Sequence, residues 1–144
     1  MKKEYEIGAQ IHMLSRKIKR KLDEAFVSYG ITGVQAIMLK FINDKSREGK
    51  VYAKDIESEF DMRRATIAGI LQLLEQNKLI TRKAEGSDAR LKEITITKKA
   101  LEIINNVDSS IAELEKRLEK NMSKEERENF LKTLDKLSKN LSQN

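Results

Sequence analysis

The sequence predicts a mainly helical chain with one small β-hairpin, an α+β fold of about six helices. Three observations predict it. Apolar residues recur at helical spacing over most of the chain. Only between residues 79 and 97 does the spacing switch to alternation, on either side of a glycine-bearing turn. The chain has no proline, the residue that most strongly interrupts a helix.

The elements follow in order. Residues 5–29 read as an amphipathic helix with Ile7, Ile11, Leu14, Ile18, Leu22 and Phe26 on one stripe, and Gly30 as its stop. Thr32 opens a Thr-x-x-Gln capping box in which Gln35 reaches back to the cap. The second helix runs to about Asn43. It is apolar almost all round from Val34 to Ile42, which marks it as the buried hub. Residues 44–50 are a polar loop with Gly49, and Val51-Tyr52 fits a very short strand. A short helix over about 53–60 turns Ile56 and Phe60 inward, and a tight turn near Asp61-Met62 leads to a fourth helix over about 63–77, with Asn77 as its left-handed stop. Leu79–Ala84 and Leu91–Thr97 are the hairpin strands, joined through Glu85-Gly86-Ser87-Asp88. The last third is helical. Ile104, Val107, Ile111, Leu114 and Leu118 form a coiled-coil-like seam that ends at Asn121. Ser123 and Glu126 make a second capping box, and the final helix carries Phe130, Leu134, Leu137 and Leu141 on one stripe.

At 144 residues the chain suits one domain. Its net charge is +6, and residues 63–99 concentrate nine basic against four acidic side chains. A polyanion such as nucleic acid is a natural partner for such a block. The absence of cysteine excludes disulfides, thiolate metal sites and a cysteine redox sensor. There is one histidine, no glycine-rich phosphate loop and no carboxylate pair placed for acid–base work, so no enzyme, cofactor or metal is expected. No apolar run reaches the roughly 18 residues of a membrane span, and the first residues lack the apolar core of a signal peptide. No membrane partner and a cytoplasmic location are the expectations.

The fourth helix carries the functional argument. At about 100° per residue, Ile67, Ile70, Leu71 and Leu74 fall in one sector that must face the core. The opposite sector holds Ala65, Ala68, Gly69, Gln72 and Gln76. A solvated face in so charged a chain would carry Lys and Glu. This one is neutral and small, which permits close approach of another surface, and Gln72 has the paired donor and acceptor that read adenine in a major groove. Arg63, Arg64 and Thr66 crowd the helix start, where phosphates are held by free N–H groups and cations. The hairpin adds Arg82, Lys83, Arg90 and Lys92. Arg90, just past the tip, has the reach to enter a minor groove, and Asp88 suits bonding the turn or holding Arg90.

Helix, short helix and fourth helix, then Leu79-Ile80-Thr81-Arg82, Asp88-Ala89-Arg90 and Ile94-Thr95-Ile96-Thr97, resemble the MarR family of winged helix-turn-helix regulators. Leu-Ile-x-Arg after the recognition helix and Asp-x-Arg in the wing both match. Ile96-Thr97-Lys98-Lys99-Ala100 replaces the family's Leu-Thr and following glycine, and Asn77 stands where a glycine is usual. Over nearly the whole chain, the resemblance implies a sequence-specific regulator of duplex DNA, read as a repressor. Residues 32–97 would form the DNA-binding lobe, with residues 1–29 and 98–144 as dimerisation helices. It implies Arg63, Arg64, Ala65, Thr66, Gly69 and Gln72 at the major groove, and Asp88 and Arg90 in the wing with Arg90 in the minor groove. The apolar stripes of the terminal helices independently call for a second copy to cover them. A twofold dimer would bind a pseudo-palindrome about one DNA turn between half-sites.

Such regulators are often released by a small aromatic or phenolic effector. His12, Ser15, Arg16, Met38 and Phe41, on the first two helices, are the residues expected to line its cleft. The alternative to DNA binding is a winged-helix module whose neutral helix face meets a partner protein. A steep salt dependence would separate the two.

Overall fold

The computed structural model describes residues 6–142, and of residues 88–90 the backbone only. Contacts divide the chain into two compact units, one up to Ile111 and one from Ala112.

The first unit opens with α1 (Glu6–Phe26), followed by a 3-10 turn over Val27–Tyr29 that Gly30 closes in a left-handed conformation, φ 73°. The expected helix to residue 29 therefore tightens in its last turn. The Thr32 hydroxyl accepts from the Gln35 backbone N–H at 3.2 Å, and Gln35 Oε1 accepts from the Thr32 N–H at 3.0 Å, completing the expected capping box of α2 (Gly33–Ser46). Asp23 of α1 adds a third cap, accepting from Gly33 N–H at 2.8 Å. Burial pushes the Asp23 carboxyl up, but the bonds from Lys19 and from Gly33 N–H outweigh it and hold the group below the usual aspartate range. The helices meet closely at this point: a Cβ on Gly33 would lie 2.6 Å from Leu22 Cβ. α2 runs three residues past its expected end, and a Lys40–Asp44 pair four residues apart supports its last turns. Ala36, Met38, Leu39 and Ile42 are fully buried, as befits the hub.

Val51 forms an isolated bridge to Ile94, α3 spans Ala53–Glu59 and α4 spans Arg64–Gln76. The stop of α4 differs from expectation. Asn77 stays at φ −83°, and the left-handed residue is Lys78, φ 59°. Lys78 N–H bonds Glu75 O and Leu79 N–H bonds Leu74 O, a Schellman motif sealed by buried Leu79. The glycine-like role thus falls one residue later than the sequence suggested. β1 (Ile80–Glu85) and β2 (Asp88–Ile96) pair antiparallel from Ile80↔Ile96 to Glu85↔Asp88, with an irregularity at Ala84/Glu85 and Gly86 at φ 57° in the turn. Thr97 closes the base, its hydroxyl donating to Lys78 O at 2.8 Å.

The helix expected over the 104–118 seam is divided. α5 (Lys98–Asn105) and α6 (Val107–Leu118) break at Asn106, whose side-chain amide donates to Glu102 O at 3.2 Å and to the Tyr29 hydroxyl at 2.7 Å. A side chain that bonds the preceding turn competes with the helix ladder. Ile104 and Val107 are buried and Ile111 half-buried.

In the second unit the chain reverses at Asn121, φ 66°, where the seam was expected to end. α7 (Lys124–Ser142) starts at the expected Ser123/Glu126 box, with bonds of 3.1 and 3.3 Å, and an Arg127–Glu119 pair spans the turn. No residue of α7 is buried, and Phe130 and Leu131 are each 46% exposed.

Candidate nucleic-acid interface

α3, a tight turn and α4 form a helix-turn-helix. Asp55 accepts the Tyr52 N–H at 2.8 Å to start α3. Phe60 ends it in an extended conformation, packed edge-on against Phe41 at 5.7 Å between ring centroids. Buried Ile56, Ile67, Leu71 and Leu74 hold α3 and α4 on the core, with Ile70 half-buried beside them. That packing turns Ala65, Ala68, Gly69, Gln72 and Gln76 outward, and all five are exposed. Gly69 has open space where a Cβ would be. Leu73, 41% exposed, flanks this face. Sequence reasoning left it out, although its helical angle already placed it outside the core sector.

α4 begins without a side-chain cap. Arg63 holds the N-cap position in extended backbone and makes no capping bond. Arg63, Arg64 and Thr66 are exposed around this start, with Arg64 Nε 3.3 Å from Glu57. Uncapped N–H groups, the positive end of a helix dipole and two guanidinium groups together form a place suited to an anion.

In the hairpin, Lys83 and Lys92 are exposed. The side chains of Asp88 and Arg90, expected in the wing, lie outside the described residues. Arg82 departs from the expected free cation: its Nε and Nη2 donate to Glu75 Oε1 of α4 at 3.3 and 3.0 Å, and its side chain is only 20% exposed. The bond from Arg82 holds the Glu75 carboxyl below the usual glutamate range. Sequence reasoning missed Glu75, because its partner lies beyond a turn whose geometry composition does not give. A second pair joins Lys50 to Glu85 at the far end of β1. Lys50 depresses the Glu85 pKa, and the same bond raises that of Lys50.

The residues expected around an effector differ widely in exposure. His12, Ser15 and Arg16 are exposed on α1, and Phe41 is half-buried against Phe60. Met38 is fully buried in the core and is removed from the set, since a side chain without accessible surface cannot line an open cleft. Two described cavities, about 330 Å³ between α3, α4 and β2 and about 490 Å³ between the end of α2 and β2, are lined by none of the five.

Residues 29–91 match the model of the MarR family. None of the curated proteins compared matches the sequence. Among solved structures, MepR from S. aureus in complex with DNA is similar at 26% identity and TM-score 0.83, covering 97% of this chain and 99% of its own. The transcription regulator MarR from Oenococcus oeni PSU-1 is similar at 26% identity and TM-score 0.73, covering 93% and 99%. The organohalide-sensing regulator RdhR in its 2,4-dichlorophenol-bound form shares the fold at 16% identity and TM-score 0.83, covering 97% and 82%. With a helix-turn-helix, a two-stranded wing and flanking helices in the same order, this chain has the winged-helix fold of MarR-type transcription regulators and matches the MarR family over residues 29–91.

Proposed function

We propose that the protein is a homodimeric repressor that binds a pseudo-palindromic operator in the cytoplasm, with α4 in the major groove and the hairpin along the adjacent minor groove. One observation carries this reading: the exposed face of α4 is neutral and small, and it begins at an uncapped, arginine-flanked helix end. Phosphates would meet Arg63, Arg64 and the helix N–H groups. Base edges would meet Gln72 across the gap left by Ala65 and Gly69. Lys83, Lys92 and Arg90 would extend the contact along the wing, with Asp88 as the partner of Arg90. The similar MepR is described in complex with DNA, which supports a DNA-binding reading.

Dimerisation is supported by apolar surface left exposed in each unit. Ile7, Ile11 and Leu14 of α1 are 63%, 42% and 42% exposed, and α7 presents Phe130 and Leu131. These are the terminal helices assigned to the interface, and a twofold pairing sets two α4 helices on successive half-sites.

An aromatic or phenolic effector completes the proposal. The fold is shared with a regulator described with 2,4-dichlorophenol bound. In this chain His12, Ser15, Arg16 and Phe41 would supply polar and aromatic contacts once the dimer is formed. Release of DNA requires that the effector prefer one spacing of the DNA lobes over another.

Selection of bound fragments from the source genome is the direct test. A single inverted repeat should emerge, and binding should weaken steeply with salt. Gln72→Ala should relax preference at one position per half-site, by roughly 1–3 kcal/mol. Retention of no duplex at low ionic strength would overturn the reading. For the effector, a panel of phenolic acids should raise the melting temperature, and the absence of any shift removes that part.

A further inference from the structure

The wing carries two ion pairs whose cations do not face outward as free charges. Arg82 directs two N–H groups at one carboxylate oxygen of Glu75, which lies in the last turn of α4 on the flank nearest the hairpin. Lys50 directs its ammonium at Glu85, the last residue of β1. Lys50 also precedes Val51, whose carbonyl accepts from Ile94 N–H of β2 at 2.8 Å. The hairpin is thereby tied to α4 on one side and to the segment before α3 on the other. Partly exposed pairs of this kind add little to stability, so an energetic role does not account for them. A carboxylate beside a phosphate-binding surface opposes DNA unless it does something else.

We propose that Glu75 and Arg82 form a positioning brace that sets the wing against the recognition helix, so that Arg82 acts through the geometry of the hairpin and does not neutralise a phosphate. This rests on the DNA-binding reading above and deepens it. The Lys50–Glu85 pair restrains the opposite end of the same strand.

The sign of one substitution separates the two roles. If Arg82 contacted phosphate, Glu75→Ala would remove a repulsive charge, free a cation and tighten DNA binding. As a brace, its loss should weaken binding by about two- to tenfold, the span of a modest coupling between neighbours. Arg82→Ala should weaken binding to a similar extent and leave the slope of log affinity against log salt unchanged. The swapped pair, Glu75→Arg with Arg82→Glu, should recover most of the lost affinity. Tighter binding by Glu75→Ala, or a salt slope reduced by about one in Arg82→Ala, would overturn the brace. Amide exchange of the free dimer gives a readout that needs no DNA: residues 80–87 and 91–96 should exchange faster in Glu75→Ala while α2 is unchanged. Unaltered exchange there sinks the brace even if the protein binds DNA. Faster exchange in a protein that retains no duplex sinks only the DNA reading.

Discussion

α2 and α4 are of nearly equal length, 14 and 13 residues, and each presses apolar side chains into the same core. They differ in how their ends and their glycines are used. The start of α2 is satisfied inside the molecule, by Thr32, Gln35 and Asp23. Its glycine is also explained inside, because a Cβ on Gly33 would strike Leu22. α4 starts without a side-chain cap, and a Cβ on its Gly69 would meet no neighbouring element within 4 Å. A glycine in a helix interior lowers stability relative to alanine. No internal neighbour requires the gap at Gly69, which fits the close approach of DNA proposed for this face. The contrast sets a helix whose start and glycine are used inside the molecule beside one whose start and glycine are left open.

The largest expected effect tests the inner half of this contrast. Gly33→Ala forces α1 and α2 apart and should lower stability by about 1–3 kcal/mol, read as a falling melting temperature with little change in base preference. An unchanged melting temperature would show that the α1–α2 contact yields easily. The two helix starts come next. Thr32→Ala should lower stability by about 1 kcal/mol, whereas Arg63→Ala should leave the melting temperature within about 0.5 kcal/mol of the parent and weaken binding to all duplexes. Equal melting shifts in the two variants would erase the distinction between a capped and an open helix end.

Gly69→Ala should move stability the other way, raising it by about 0.8–1 kcal/mol while reducing operator affinity. A variant that is both more stable and equally tight would show that no surface comes close at Gly69. The smallest effect is one of pH. The folded Asp23 pKa lies below its ordinary value, so its contribution is fully present above the ordinary aspartate pKa and is lost as pH falls through the lowered one. Acid titration of stability should therefore be shallower in Asp23→Asn than in the parent, with the difference confined to the acid limb. Coincident acid limbs would remove Asp23 from the capping of α2.

Much of this was legible before any coordinates. Capping residues act within four positions of one another, so Thr32/Gln35 and Ser123/Glu126 were readable as local chemistry. The outward face of α4 followed from periodicity, because core packing fixes the rotation of an amphipathic helix. The division at Asn106 was not readable, since it depends on a hydroxyl 77 positions away. Nor was the left-handed Lys78, because the Schellman geometry is set by burial of Leu79 against the core. Met38 was misplaced for a similar reason: on a helix that is apolar all round, periodicity does not say which side will be left accessible.

The sequence alone determined the order of the elements, the neutral face of α4 and the basic character of residues 63–99, because each depends on neighbours a few positions apart. Tertiary structure alone decided which charges are spent within the chain. Arg82 and Lys92 belong to the same basic block, yet one is bound to Glu75 and the other is exposed. Composition counts both equally. Only the path of the backbone between α4 and β1 brings a carboxylate within hydrogen-bonding distance of one of them.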